Sequence, residues 1–114
     1  MLSKTLVEEL LNFRSVRDWE QFHSTRNLAA AITVEAGELL ESFIWASDQQ
    51  VPEIAGTRRA AISDEIADIA ILLTYLAHDL SIDIDVAVKA KLQANAKKYP
   101  VDKARGSNKK YTEL

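Results

Sequence analysis

Two stretches of the chain share an acidic pattern. One reads Val34-Glu35-Ala36-Gly37-Glu38-Leu39 and the other Asp64-Glu65-Ile66-Ala67-Asp68-Ile69. Carboxylates three residues apart lie on one face of a helix. Their surroundings are apolar. At 100° per residue, Glu35 has Leu28, Ala31, Ile32 and Leu39 within about 60° of it, and Glu65 has Ala61, Ile62, Ile69, Leu72 and Leu76. Both acids thus sit in the stripe expected to face a core. Unpaired carboxylates there are costly, and four together repel or take up protons. Divalent cations would resolve both problems. With no Cys in the chain and no His in the two patterns, the oxygen donors suit hard ions: Mg²⁺, with Mn²⁺ as the alternative.

The elements that must position these acids read as helices. Of 114 residues, 47% are hydrophobic and only 7% aromatic, enough for one all-α domain over residues 1–114 with a real core. Three glycines and two prolines leave little punctuation, so the helices should be long. The first is expected from Ser3 to about Ser15, with Leu6, Leu10 and Phe13 as its stripe. A polar stretch, residues 17–23, follows. Ser24 or Thr25 can cap a second helix over about Asn27–Ala46. Residues 47–57, holding Pro52 and Gly56, read as a loop. A third helix is expected over about Thr57–Leu80. Asp83 or Asp85 can cap a fourth, ending before Pro100 because the residue before proline avoids helical geometry. No period-2 pattern of useful length is present.

The second helix is apolar on nearly every side, with Leu40 and Ile44 opposite Glu35. One small domain rarely buries such a helix alone. The expected architecture is a four-helix bundle-like protomer that forms a homo-oligomer, a dimer or tetramer. The opening residues lead into an amphipathic helix rather than a secretory signal, and the longest apolar run, Ile69–Leu73, is too short for a bilayer. A cytoplasmic protein without membrane contacts is expected.

The net charge of −3 conceals an asymmetry. The basic tail, residues 97–114, holds Lys97, Lys98, Lys103, Arg105, Lys109 and Lys110; residues 97–110 carry +5 and the rest of the chain −8. Such a balance suits a metal site that also holds phosphates. It equally suits a solvated tail drawn to an acidic body. The acidic body argues against nucleic-acid binding. There is also an internal echo. Trp45 follows Glu38 by seven residues and Tyr75 follows Asp68 by seven, so each aromatic shares the face of its acid. Duplication and chance both account for it.

The spacing then becomes specific. Glu-x-x-Glu, 26 residues (39–64), and Glu-x-x-Asp resembles the all-α nucleoside triphosphate pyrophosphohydrolases of the MazG type, and within them the short dCTP-pyrophosphatase-like branch. The flanking text agrees: Arg17-Asp18-Trp19-Glu20-Gln21-Phe22-His23, Arg26-Asn27-Leu28, Phe43-Ile44-Trp45, Lys97-Lys98-Tyr99-Pro100 and Lys110-Tyr111-Thr112-Glu113-Leu114. The resemblance implies Mg²⁺-dependent cleavage of a (deoxy)nucleoside triphosphate to the monophosphate and pyrophosphate, as nucleotide-pool house-cleaning. It implies Glu35, Glu38, Glu65 and Asp68 as metal ligands, with Glu38 also acting on the attacking water. It implies Trp19 and Trp45 as base-stacking residues and Lys91, Asn95 and Lys98, on one face of the fourth helix, as phosphate or sugar contacts. His23 either approaches the nucleotide or bonds locally within its turn. The chain departs from that branch at Leu10 and Leu72, where a histidine and a tyrosine are expected, so a dCTP preference does not carry over directly.

Two other classes compete. A di-iron carboxylate bundle needs Glu-x-x-His on each of two helices, and the chain has one such string, Glu20 to His23. A non-catalytic, partner-binding helical module would explain the apolar surplus but leaves the four acids without a role.

Overall fold

The computed structural model describes all 114 residues and is all-helical. In chain order the elements are α1 (Lys4–Ser15), a 3₁₀ turn (Glu20–Phe22), α2 (Thr25–Glu41), α3 (Val51–Thr57), α4 (Arg59–Asp79), α5 (Ile84–Lys98), α6 (Val101–Ala104) and a 3₁₀ turn (Tyr111–Glu113). There are six α-helices where four were expected. The four expected ones are α1, α2, α4 and α5. The chain divides into two compact units, residues 2–81 and residues 82–114 together with Met1.

In the 2–81 unit, the starts of α1 and α2 follow from their caps. Ser3 Oγ accepts from the Leu6 N–H at 3.2 Å, and Ser24 Oγ accepts from the Asn27 N–H at 3.1 Å. Between these helices the chain reverses through Asp18 at φ 53°, a left-handed conformation that a short polar side chain tolerates. Gln21 Nε2 donates to the Asp18 carbonyl and carboxylate, both at 3.0 Å, and holds the reversal.

Two boundaries differ from expectation. Helix α2 stops at Glu41, not Ala46. The Phe43 N–H turns back to the Leu40 carbonyl at 2.8 Å and the Ala46 N–H to that of Phe43 at 2.9 Å, so the end tightens into successive turns. The expected loop also contains α3. Pro52 stands in its first turn, where a missing N–H removes no helical bond. Arg58, at φ −104° and ψ 20°, then breaks the chain before α4 begins.

Helix α4 is the hub: α1, α2 and α3 all pack on it, α2 most extensively. The buried residues are Leu28 from α2, Arg14 from α1, and Thr74, Tyr75 and Ala77 from α4. Much apolar surface is left uncovered. Val34 is 57% exposed, Leu40 55% and Ile66 56%.

In the unit of residues 82–114 the Asp83 carboxylate accepts from the Val86 N–H at 3.1 Å and caps α5. Helix α5 ends at Lys98, before Pro100, and α6 and the last 3₁₀ turn follow. In this unit the Tyr99 and Tyr111 rings meet edge-on at 6.0 Å, and the Lys98 ammonium lies 4.8 Å from the Tyr111 ring. The expected basic tail therefore has structure of its own.

Candidate metal and nucleotide site

The packing of α2 on α4 brings the two acidic patterns together. One carboxylate oxygen each from Glu35, Glu38 and Glu65 lies within 4.8 Å of the others. The fourth acid, Asp68, stands outside this tight group. It lines one cavity wall together with Glu35, and its charge acts on Glu35. Glu35 and Glu65 are half-buried, while Glu38 and Asp68 are exposed.

The cluster contains only acceptors. The adjacent Glu65 carboxyl, with which Glu35 would share a proton, pushes Glu35 above the ordinary carboxylate value; partial burial and the Asp68 charge add to this. Glu38 is raised in turn by the Glu35 carboxyl and its charge, then by burial and by Glu41. Glu65 Oε2 is buried and has no hydrogen-bond partner. A buried acceptor without a donor is the state that a cation relieves. The arrangement fits a divalent ion with oxygen ligands. Neither Asp68 nor any other acid adds a fourth oxygen to the tight group, and hard ions complete their shells with water or substrate oxygens.

Beside the acids opens a cavity of about 380 Å³. Leu10, Phe13, Ile71 and Leu72 supply apolar walls, Trp19, His23 and Tyr75 aromatic ones, and Glu35 and Asp68 an acidic end. Trp19 meets Phe13 edge-on at 5.7 Å, with the Arg17 guanidinium 3.7 Å over the Phe13 ring. Tyr75 is held from three sides. Its hydroxyl donates to the Leu10 carbonyl at 2.8 Å, His23 packs on its ring at 5.5 Å, and the Arg14 guanidinium lies 4.6 Å over it. Burial pushes the Tyr75 phenol up, so it stays a neutral donor. Arg14 in turn makes a two-pronged bond to Asp79, at 2.9 and 2.8 Å. That pair holds Asp79 below the usual carboxylate range.

These features carry the site to its relatives. The sequence profile of the MazG-like family matches residues 30–114. The chain belongs to the MazG-like family. Its relatives include dCTP pyrophosphatase 1 of Homo sapiens, 44% identical over 104 residues, covering 90% of this chain and 61% of the human protein. The Bos taurus protein of the same name is 45% identical over 104 residues, covering 90% of this chain and 62% of its own length. The chain thus spans under two thirds of those proteins. A crystal structure of a pyrophosphatase from Archaeoglobus fulgidus superposes with a TM-score of 0.83 at 38% identity, covering 85% of this chain and 91% of that one.

Of the site residues expected from this MazG-like sequence, Glu35, Glu38 and Glu65 converge, and Trp19, His23 and Asp68 share the neighbouring cavity with Glu35. Trp45 does not join them within the protomer. It is 93% exposed and lines a separate cleft with Glu41, Gln50 and Glu53, because α2 ends before it. Lys91, Asn95 and Lys98 lie on α5, in the second unit. Arg14 and Asp79, which brace the cavity, were not anticipated. They stand 65 residues apart, and no local pattern joins them. Tyr75 was visible only as half of the aromatic echo.

Proposed function

We propose that this chain is a divalent-metal-dependent nucleoside triphosphate pyrophosphohydrolase. It would convert a (deoxy)nucleoside triphosphate to the monophosphate and pyrophosphate in nucleotide-pool house-cleaning, with dCTP among its substrates. The observation that carries this is the convergence of three carboxylates, one with an orphaned oxygen, at the acidic end of an aromatic cavity. The relatives named dCTP pyrophosphatase 1 support the same reading.

In this proposal Glu35, Glu38 and Glu65 hold the ion, with Asp68 beside them. Mg²⁺ bound there would offset charge on the phosphate oxygens and lower the pKa of a bound water. The cavity wall of Trp19 and Tyr75 receives the base and fixes where the phosphates emerge. Glu38 is the exposed member of the three clustered acids, which leaves its carboxylate open to a water. It takes the proton of the attacking water as the new oxygen–phosphorus bond forms at the α-phosphate. The α–β bridging bond breaks, and pyrophosphate leaves with its electron pair. Lys91, Asn95 and Lys98 are assigned to phosphate and sugar contacts on the strength of the family resemblance.

The protomer is proposed to act as a homo-oligomer, because Val34 and Leu40 on α2, Ile44 just beyond it and Ile66 on α4 leave apolar surface uncovered. Trp45 keeps a base-stacking role in this proposal only by way of a neighbouring copy. Light scattering at micromolar concentration should give at least a dimeric mass, and a monomeric mass contradicts this part.

The activity itself is tested by incubating the protein with deoxynucleoside triphosphates and Mg²⁺ and separating the products. Monophosphate plus pyrophosphate is expected. Diphosphate plus inorganic phosphate, or no turnover, contradicts the proposal.

A further inference from the structure

We propose that Arg14 is a positioning residue of the base-binding wall: it ties the turn that carries Trp19 to the Tyr75 ring, and so sets the affinity for the nucleobase without touching it. This deepens the pyrophosphohydrolase reading and rests on it for the identity of the ligand.

Arg14 is the one charged residue that the protein buries, at 4% exposure. Packing alone does not call for it, because two apolar side chains of similar volume hold neighbouring helices as well as a buried ion pair does. What the pair adds is geometry. The planar guanidinium meets both Asp79 oxygens at once, at 2.9 and 2.8 Å, and so stands in one orientation. Neither residue borders the cavity, and no hydrogen bond or ion pair joins Arg14 to Glu35, Glu38 or Glu65. Its influence on the site must pass through what it holds.

Both ends of Arg14 hold the aromatic wall. At the main-chain end, its carbonyl accepts from the Trp19 N–H at 3.2 Å and the Arg17 N–H at 3.3 Å, which closes the end of α1 into the turn that delivers Trp19 to the cavity. At the side-chain end, the guanidinium lies 4.6 Å from the centre of the Tyr75 ring and is fixed there by Asp79. The Tyr75 hydroxyl then reaches back to the Leu10 carbonyl at 2.8 Å, one turn before Arg14 on α1. Leu10, Trp19 and Tyr75 all line the cavity, and Arg14 stands behind them as their common tie.

A base gains most from an aromatic wall whose rings already stand where it will meet them. A ring that must be ordered on binding subtracts that ordering from the affinity. Arg14 removes this cost for Tyr75 before the ligand arrives. The ion and the attacked phosphate are assigned to the acids, so Arg14 acts on binding of the base and leaves the chemical step alone. The kinetic signature is a KM that rises while kcat holds.

The test uses Arg14→Lys, which keeps the charge but loses the planar fork, and the double swap Arg14→Met with Asp79→Leu, which leaves no buried charge unpaired. Folding is checked by circular dichroism. Values of kcat and KM are measured with Mg²⁺ for dCTP and for 2-deoxyribose 5-triphosphate, which carries no base. Binding of dCMP is followed by calorimetry, which needs no turnover. Both variants should raise KM for dCTP and weaken dCMP binding by about tenfold, within the range of coupling between residues in contact. Their kcat should change by less than about twofold. On the base-free triphosphate, wild type and variants should agree. In a Tyr75→Ala background Arg14→Lys should add nothing further, because Arg14 acts through that ring. A purely structural pair gives equal losses on both triphosphates, and that result overturns the inference. If Arg14→Lys does not fold, the double swap decides by the same measures. Cleavage of dCTP by wild type with KM unmoved in the folded variants overturns this inference and leaves the hydrolase reading intact. No cleavage by wild type, with dCMP still bound more weakly by the variants, sinks the hydrolase reading and leaves this inference standing.

Discussion

Helix α4 holds charge in two places, and they are built in opposite ways. Near its C-terminus, Asp79 meets the buried Arg14 guanidinium in two hydrogen bonds, and Arg14 also lies over the Tyr75 ring. Positive and negative charge cancel, and the carboxylate is held well ionised. Near the middle of the same helix, Glu65 faces Glu35 and Glu38 with no cation between them, and one of its oxygens has no partner. Two of these acids are pushed toward the protonated form. A finished ion pair contributes to the fold. A cluster of like charges weakens it, and such a cluster is expected only where something outside the chain completes it.

Breaking each region should therefore have different consequences. The largest effect is expected on turnover. Glu38→Gln should reduce pyrophosphate release by about 10²- to 10⁴-fold, the usual range for removing a base, and Glu65→Gln by at least about tenfold through the loss of an ion ligand, while the far-ultraviolet circular dichroism stays unchanged. A loss below tenfold in either variant would remove that acid from the chemistry. Asp79→Ala should instead cost stability. Removing one partner of a buried pair costs several kcal/mol; with the Asp79 side chain 29% exposed, about 3 kcal/mol is expected in urea unfolding. An Asp79→Ala protein as stable as wild type would contradict the structural role.

The smallest effect separates the regions by pH. Glu35 and Glu38 have folded pKa values raised above the ordinary 4.5, so the stability they contribute is full below 4.5 and is lost as pH rises through the raised values. Asp79 is lowered from 3.8, so its contribution is present above 3.8 and is lost as pH falls through the lowered value. Urea melts across pH in a chelator should show both slopes. Glu35→Gln should flatten the first and leave the second. The opposite assignment, with Glu35→Gln steepening the loss toward alkaline pH, would overturn the comparison.

The two regions were not equally legible. The acid cluster could be read because its information is local: two i, i+3 pairs set in apolar stripes, the first on a helix whose serine cap marks where it begins. Asp83 marked α5 in the same way. The Arg14–Asp79 pair could not be read, because only the packing of α1 on α4 brings its members together. Helix α3 was missed since Pro52 reads as a breaker wherever it stands, although in a first turn it breaks nothing. The end of α2 was placed too late because Phe43, Ile44 and Trp45 continue the apolar pattern after the backbone has left the helix. Trp45, paired with Trp19 by the family resemblance, lines a different cavity within the protomer. Leu10 and Leu72, marked as departures from the resembling branch, both line the cavity beside the acids.

The central claim is that the carboxylates of Glu35, Glu38 and Glu65 form a site for a divalent cation rather than a structural cluster. Thermal melts of wild type and Glu35→Gln, each in Mg²⁺ and in a chelator, test it most directly, with a non-hydrolysable triphosphate analogue present in a parallel set. In a chelator Glu35→Gln should be as stable as wild type or more stable, because a repelling charge is gone. Mg²⁺ at 100 times its dissociation constant should stabilise wild type by about 2.7 kcal/mol and the variant by much less. A destabilised Glu35→Gln protein, together with a wild-type melt that Mg²⁺ leaves unmoved with and without the analogue, would contradict the account.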